Sequence, residues 1–230
     1  MKDFVKTKKL ILFGDSAFAD IAYEYFTHDS EYEVCAFTVS RQFLKETTKF
    51  GLPVVAFEDV EKTYPSAKYE MHIALVYNTL NRVRKKFYTE AKEKGYTLAN
   101  YVSSQAFVWK NVKLGDNLFI FENNVVQPFV ILESNIVLWS GNHIGHHSVI
   151  RSHCFISSHV VISGFCEIGE CCFMGVNSTV ANNVTIGADC LVGSGAMVVK
   201  TVSPGSLLKG SMTKPEEQST YQKFSIEPQQ

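Results

Sequence analysis

The sequence predicts a small α/β domain followed by a long parallel β-helix, and three observations carry that reading. From Val102 onward every sixth residue is apolar: Val102, Val108, Leu114, Ile120, Val126, Leu132, Leu138, Ile144, Ile150, Ile156, Ile162, Ile168, Met174, Val180, Ile186, Val192 and Val198. In a chain that is 46% hydrophobic, seventeen such hits in one phase arise by chance on the order of once in a million. Small residues follow many of these aliphatics (Gly145, Ser157, Ser163, Gly169, Gly175, Ala181, Gly187, Gly193), and small or β-branched ones stand four places after them. Before position 100 the pattern is different: short apolar runs alternate with stretches of helical spacing.

In chain order, KKLILFG reads as a first strand ending at Gly14. Ala17 to Phe26 carries Phe18, Ile21, Ala22 and Tyr25 at helical spacing, and EVCAFTV reads as the second strand of a βαβ start. HIALVY reads as a further strand. Arg82 to Lys94 reads as a helix closed by Gly95, with lysines in its last turn. The implied division is an α/β domain over 1–100, a β-helix over 101–203 and a capping tail over 204–230, polar after Pro215.

A six-residue step matches neither the 3.6 of a helix nor the 2 of a strand. A two-residue strand and a tight corner, three times per coil, give a triangular prism of 18 residues per turn, with Ile150, Ile168 and Ile186 stacked. Glycine or another permissive residue is expected to relieve the corners. Handedness is not readable from spacing; hexapeptide repeats are known to wind left-handed. Cys154, Cys166, Cys172 and Cys190 share one phase, as small buried side chains do, so neither disulfides nor a metal centre is expected of them.

Bulk properties exclude several classes. The net charge is -1 and 20% of residues are charged, so no basic surface recruits nucleic acid or a membrane. The run LILF behind the N-terminal lysines is too short for a signal peptide, and no stretch approaches a membrane span. A cytoplasmic protein is expected.

The chemistry gathers in two places. At the turn Gly14-Asp15-Ser16-Ala17 a strand meets a helix N-terminus, where a phosphate is readily held. Only one glycine of the dinucleotide fingerprint is present and no acid ends the second strand, which disfavours NAD and leaves a nucleotide moiety. Five of the seven histidines lie between 143 and 159. In Trp139-Ser140-Gly141-Asn142-His143-Ile144-Gly145-His146-His147-Ser148, Ile144 points inward, which puts His146 and His147 at the prism surface. Imidazole there suits a general base near neutral pH.

With the GDSAFA turn, Asn81-x-x-Arg84, the repeats, CFMGVNSTV, VGSGAMVVK and LLKGSMTKP, the chain resembles the bacterial sugar acetyltransferases. These join a nucleotide-binding α/β domain to a left-handed β-helix and act on nucleotide-linked amino sugars or sialic acid. The resemblance implies acetyl-coenzyme A as donor, no metal, and a homotrimer with the donor held between subunits. It places the general base at His146, with His147 at the position of the acid that orients it; His143, Asn142 as an oxyanion donor and Glu133 as a substitute acid complete the candidates. It assigns Gly164, Val176, Gly193, Ser194, Gly195 and Lys214 to the donor, and Gly14, Asp15, Ser16, Ala17, Asn81 and Arg84 to the nucleotide-linked sugar. The chain departs from the family at Met212, at the Gly14 turn and at His147. Two other readings compete: a non-catalytic scaffold, and an interfacial zinc hydratase of the γ-carbonic-anhydrase type, against which no two of the five clustered histidines are 18 residues apart.

Overall fold

The computed structural model describes residues 4–210 and 216–227. Strand β1 (Lys8–Phe13) leads through Gly14 into helix α1 (Ala17–His28) and back to β2 (Tyr32–Val39). Short β3 (Thr48–Lys49) and β4 (Leu52–Ala56), helix α2 (Val60–Thr63), strand β5 (Glu70–Ile73) and helix α3 (Arg82–Glu93) follow. The sheet order is β3-β4-β2-β1-β5, parallel except for the β3–β4 pair. The apolar run HIALVY is a strand only as far as Ile73; Tyr77 to Asn81 instead forms a turn in which Thr79, Leu80 and Asn81 all have φ near +50 to +66.

From Tyr101 the chain winds into two-residue strands on three parallel faces of six, five and seven strands, paired 18 residues apart, as in Val126↔Ile144 and Ile150↔Ile168. The predicted aliphatics from Ile120 through Val198, with Leu132 and Met174 among them, fill one continuous core. Each stands at the second place of its strand, where the side chain points inward.

The corners differ from expectation in their detail. The left-handed backbone falls three residues after each aliphatic, at every sixth position from Asn117 to Gly195, and the small residue directly after the aliphatic has ordinary torsions. Where glycine does occupy that place it has another reason: a Cβ on Gly145 would lie 2.5 Å from the backbone of Ser163 and Gly164 in the next coil. At the left-handed positions the sequence uses asparagine five times and histidine three times (His147, His153 and His159), types enriched in this region, but also Phe129 and Phe165, which tolerate it less readily.

The column does not stop at 203. Leu207–Leu208 pairs with Leu191–Val192, and Val202 bridges to Ile186. Both pairs are 16 apart, because the last coil is two residues shorter than the others. That shortening breaks the six-residue step after Val198 and hid this coil from the periodicity.

One of the three faces is covered. Its outward residues Tyr101, Phe119, Val137 and Phe155 are all at most 4% exposed, packed with Phe18, Ala22 and Phe26 of α1. Helix α1 is thus sandwiched between the sheet and the column. The other two faces meet at a free vertex, marked by positions 129, 147, 165 and 183.

Candidate active site

At the free vertex Phe129, His147 and Phe165 stand one coil apart, all in the left-handed region. Their rings stack: Phe129 on His147 at 4.6 Å and 25°, His147 on Phe165 at 4.8 Å and 17°. His146, exposed beside them, meets His147 edge-on, with Nδ1 to Nδ1 at 3.1 Å. Its own flank is the edge of Phe165, 5.0 Å away at 86°. The His146 N–H donates to Gln127 Oε1 at 2.9 Å, which fixes the backbone from which the ring projects. Beneath the ring lies Gly164, where a Cβ would come within 2.8 Å of His146 Cε1 and 3.0 Å of Nε2. The imidazole therefore rests on bare backbone.

Other sequence candidates lie elsewhere. Asn142 is 1% exposed; its Oδ1 accepts from Val160 N at 2.8 Å and its Nδ2 donates to the Trp139 carbonyl. It repeats Asn124 one coil below, which also bonds the Trp139 carbonyl. An amide engaged at both ends inside the column closes the corner, and the oxyanion role expected of Asn142 does not fit its place. His143 is half-buried on a free face, between Val125 and Val161. Glu133 accepts from Arg151 at 2.9 Å and from both the N–H and hydroxyl of Ser152. Burial pushes its carboxyl up, but those hydrogen bonds outweigh it and hold the group below its ordinary range. Glu133 is committed to that network.

Among the expected donor-binding residues, Gly164 shares the vertex with His146. Val176, Ser194 and Gly195 are exposed on the neighbouring vertex, one free face away, with Gly193 half-buried beside them. At Gly195, φ is +68 and an added Cβ would meet nothing within 4 Å among the described residues, while Gly210 packs against the Ser194 carbonyl on the other side of the turn. Lys214 and Met212 lie outside the described residues.

At the N-terminal turn β1 passes into α1 through Gly14, Asp15 and Ser16. Gly14, with φ +130, donates its N–H to the Thr38 carbonyl at 2.9 Å, and a Cβ would sit 2.8 Å from the Ala74 carbonyl oxygen. Asp15, Ser16 and Ala17 are exposed at the start of α1, and the Ser16 side chain makes no capping bond. The chain leaves β1 toward β2 on one side and β5 on the other, so this crevice at the carboxyl ends is a topological switch point, where open α/β sheets bind ligands. A cavity of about 190 Å³ beside it is lined by Asp15, Val39, Lys45, Glu46 and Lys49 among others.

Asn81 and Arg84 do not belong to that crevice. Both are 0% exposed. Asn81 Nδ2 donates to the carbonyls of Cys171 and Cys172 at 3.1 Å. The Arg84 guanidinium donates to Val76, His153 and Cys154 carbonyls at 3.2, 3.0 and 2.9 Å. Burial lowers its pKa to about 10. These residues clamp α3 to the column; a substrate has no route to them.

Sequence reasoning missed the stacking partners Phe129 and Phe165 and the anchor Gln127. The 18-residue spacing of three planar side chains at 129, 147 and 165 was the available signal. The topology also separates the two candidate subsites: the Gly14 turn belongs to the domain on the covered face, and His146 stands at the vertex opposite that face.

No family model matches the sequence, and no curated protein is significantly similar to it. Solved structures are. The acetyltransferase domain of PglB from Neisseria gonorrhoeae superposes with a TM-score of 0.80 at 21% identity, covering 91% of this chain and all of that one. The perosamine N-acetyltransferase PerB from Caulobacter crescentus, determined with CoA and GDP-perosamine, gives 0.76 at 22%, covering 86% and 92%. WeeI from Acinetobacter baumannii gives 0.68 at 22%, covering 89% and 97%. The chain thus shares, over nearly its whole length, the fold of bacterial sugar acetyltransferases: a small α/β domain joined to a left-handed parallel β-helix.

Proposed function

We propose that this protein is an acetyltransferase that moves an acetyl group from acetyl-coenzyme A directly to an amine or hydroxyl of a nucleotide-linked sugar, with His146 as general base. The observation that carries the proposal is the setting of His146: an exposed imidazole at the free vertex, resting on Gly164 with its Nδ1 engaged by His147. That leaves Nε2 as the nitrogen open to a substrate proton. The donor supplies the thioester carbonyl. His146 Nε2 accepts the proton as the sugar nitrogen or oxygen attacks that carbonyl, and backbone N–H groups take the developing negative charge. The carbon–sulfur bond then breaks, His146 Nε2 returns its proton to the leaving sulfur, and coenzyme A departs as the thiol. No serine or cysteine is required to carry the acyl group, because the attacking atom belongs to the sugar.

Bare backbone at Gly164 and the exposed residues Ser194 and Gly195 suit a long, flexible donor lying along the free face between the two vertices. The switch-point crevice at Gly14–Ala17 suits the nucleotide. Since one chain holds the crevice and His146 on opposite sides of the column, the reading assigns the reaction to a homotrimer, in which the free vertex of one subunit faces a neighbour. A cytoplasmic place in polysaccharide biosynthesis accords with such a substrate. The likeness to PerB, whose structure holds CoA and GDP-perosamine, supports the substrate class.

The test is thiol release from acetyl-coenzyme A against a panel of UDP-, dTDP- and GDP-linked amino sugars. General-base assistance contributes about 10²–10⁴-fold. His146→Ala is expected to lower kcat by that order with its sedimentation and melting unchanged. Full turnover in that variant would remove His146 from the mechanism.

A further inference from the structure

Among the described residues no carboxylate is hydrogen-bonded to the His146 ring. Glu133 is held by Arg151 and Ser152, and the side-chain partner at the His146 ring nitrogen is His147. His147 is not a loosely held surface ring. Phe129 and Phe165 stack on its two faces at 4.6 and 4.8 Å, and its backbone is fixed in the left-handed corner at φ +59. Such offset aromatic pairs contribute about 0.5–1.5 kcal/mol each beyond burial. The sandwich leaves its in-plane Nδ1 aimed at Nδ1 of His146.

Two neutral imidazoles facing Nδ1 to Nδ1 share one proton: one nitrogen donates and the other must present a lone pair. We propose that His147 is the positioning residue of this site, a neutral imidazole clamped between Phe129 and Phe165 that accepts the Nδ1 proton of His146 and thereby reserves Nε2 of His146 as the base. The inference rests on His146 being the base. It assigns His147 the tautomer with its proton on Nε2. When His146 takes the substrate proton at Nε2, its Nδ1–H still points at the His147 lone pair, and the bond becomes charge-assisted and stronger. The partner thus stabilises the imidazolium without bringing a negative charge of its own.

Two substitutions separate the acceptor from the stack. His147→Phe keeps the stack and removes the acceptor; the corner tolerates phenylalanine, since Phe129 and Phe165 hold the same backbone conformation one coil either side. His147→Asn removes the stack and keeps an acceptor, because Asn Oδ1 occupies the place of His Nδ1, and asparagine is the commonest occupant of this corner phase. With acetyl-coenzyme A and the best acceptor of the panel, His147→Phe is expected to lose about 10–100-fold in kcat, with KM for acetyl-coenzyme A changed less than about twofold. His147→Asn is expected to stay within about fivefold of the parent. In the free protein, ¹⁵N shifts of His146 should show the proton on Nδ1 in the parent and on Nε2 in His147→Phe. Parent-like kcat in His147→Phe, or a loss in His147→Asn as deep as in His147→Phe, overturns the proposal. So does a parent spectrum with the His146 proton on Nε2, a result that stands even if a variant does not fold or no panel sugar is accepted. An active His146→Ala would instead remove the base itself, whatever the His147 variants do.

Discussion

At the scale of single residues, the column is specified by what each position must not contain. Gly164 is the sharpest case, since the atom that a Cβ would strike is the mobile end of the His146 ring. Gly164→Ala should therefore leave the fold within about 0.5 kcal/mol of the parent while tilting the imidazole off its floor. Misplacing a reacting group by about 1 Å costs on the order of 10²-fold, so kcat should fall by tens-fold or more at an unchanged melting temperature. An alanine variant with parent kcat would show that the ring does not need this floor. The interior cysteines follow a related rule. Cys154, Cys166 and Cys172 donate to the carbonyls of Gly169, Ala181 and Gly187, each 15 residues on, at 3.0 to 3.1 Å, and Ser148 does the same to Ser163 at 2.9 Å. The phase itself asks only for a small or β-branched side chain, since Val160, Val184 and Ala196 fill it without a donor; serine and cysteine interchange there because each fits and adds a hydrogen bond to the next coil. The thiols remain free, with Cys154 pushed up by burial.

At the scale of elements, a hydrogen-bonded ladder climbs the vertex beneath α3. The Ile73 N–H donates to Asn117 Oδ1 at 2.8 Å, Asn117 Nδ2 to Asn135 Oδ1 at 2.8 Å, and Asn135 Nδ2 to His153 Nδ1 at 2.7 Å. The last step requires a lone pair on His153 Nδ1, so the ring is neutral. Burial first, and then the charge of Lys85, lower its pKa to about 4. His72, wholly buried and donating Nδ1–H to the Ala99 carbonyl, is lowered to about 4 by burial. Each has a native pKa below its unfolded value of about 6.5, so each unfolded ring binds the proton that the native one refuses. Their contribution to stability is complete above about pH 6.5 and is lost as the pH falls toward 4, by about 2 kcal/mol per ring between pH 7 and pH 5. His153→Asn should keep the ladder and remove its share, giving a urea-unfolding free energy that declines less between pH 7 and pH 5. Equal declines in parent and variant would exclude His153 as a source of the acid sensitivity.

The same element scale shows what was readable beforehand. The core aliphatics were legible because a period of six admits one solution, and the outward placement of His146 was legible because Ile144 fixed the inward direction two residues earlier. Asn81 and Arg84 were misread because polar residues at the N-cap and in the first turn of a helix look alike whether they face a ligand or a second domain. Only the carbonyls of Cys171, Cys172 and Cys154, some seventy to ninety residues away, decide between the two. Asn142 was misread because its phase matches the interior small residues, while its amide matches an oxyanion donor.

At the scale of the whole molecule, the seam between the two halves is mostly apolar and is pinned at its margin. Lys85–Glu170 and Lys92–Asp116, at 2.7 and 2.6 Å, and Arg82–Asp189 join α3 to the column. They are partly exposed pairs and contribute at most about 1 kcal/mol each. The larger share comes from Phe18, Phe26, Tyr101, Phe119 and Phe155, each stabilising by about 1.5–3 kcal/mol on full burial. Among the described residues no helix is long and apolar enough to cross a membrane.

That aromatic seam bears on how the chain can be divided. Beginning it at Tyr101 would bare a strip of Tyr101, Phe119, Val137, Phe155, Phe173 and Leu191, one side chain per rung. At about 4.8 Å per rung the strip would run roughly 24 Å, flat, greasy and in perfect file. A fragment spanning 101–227 should pellet or form large particles in light scattering where the intact chain stays clear, and exchanging Phe119 and Phe155 for threonine should return it to solution. The small domain, whatever it grips, is also the column's coat.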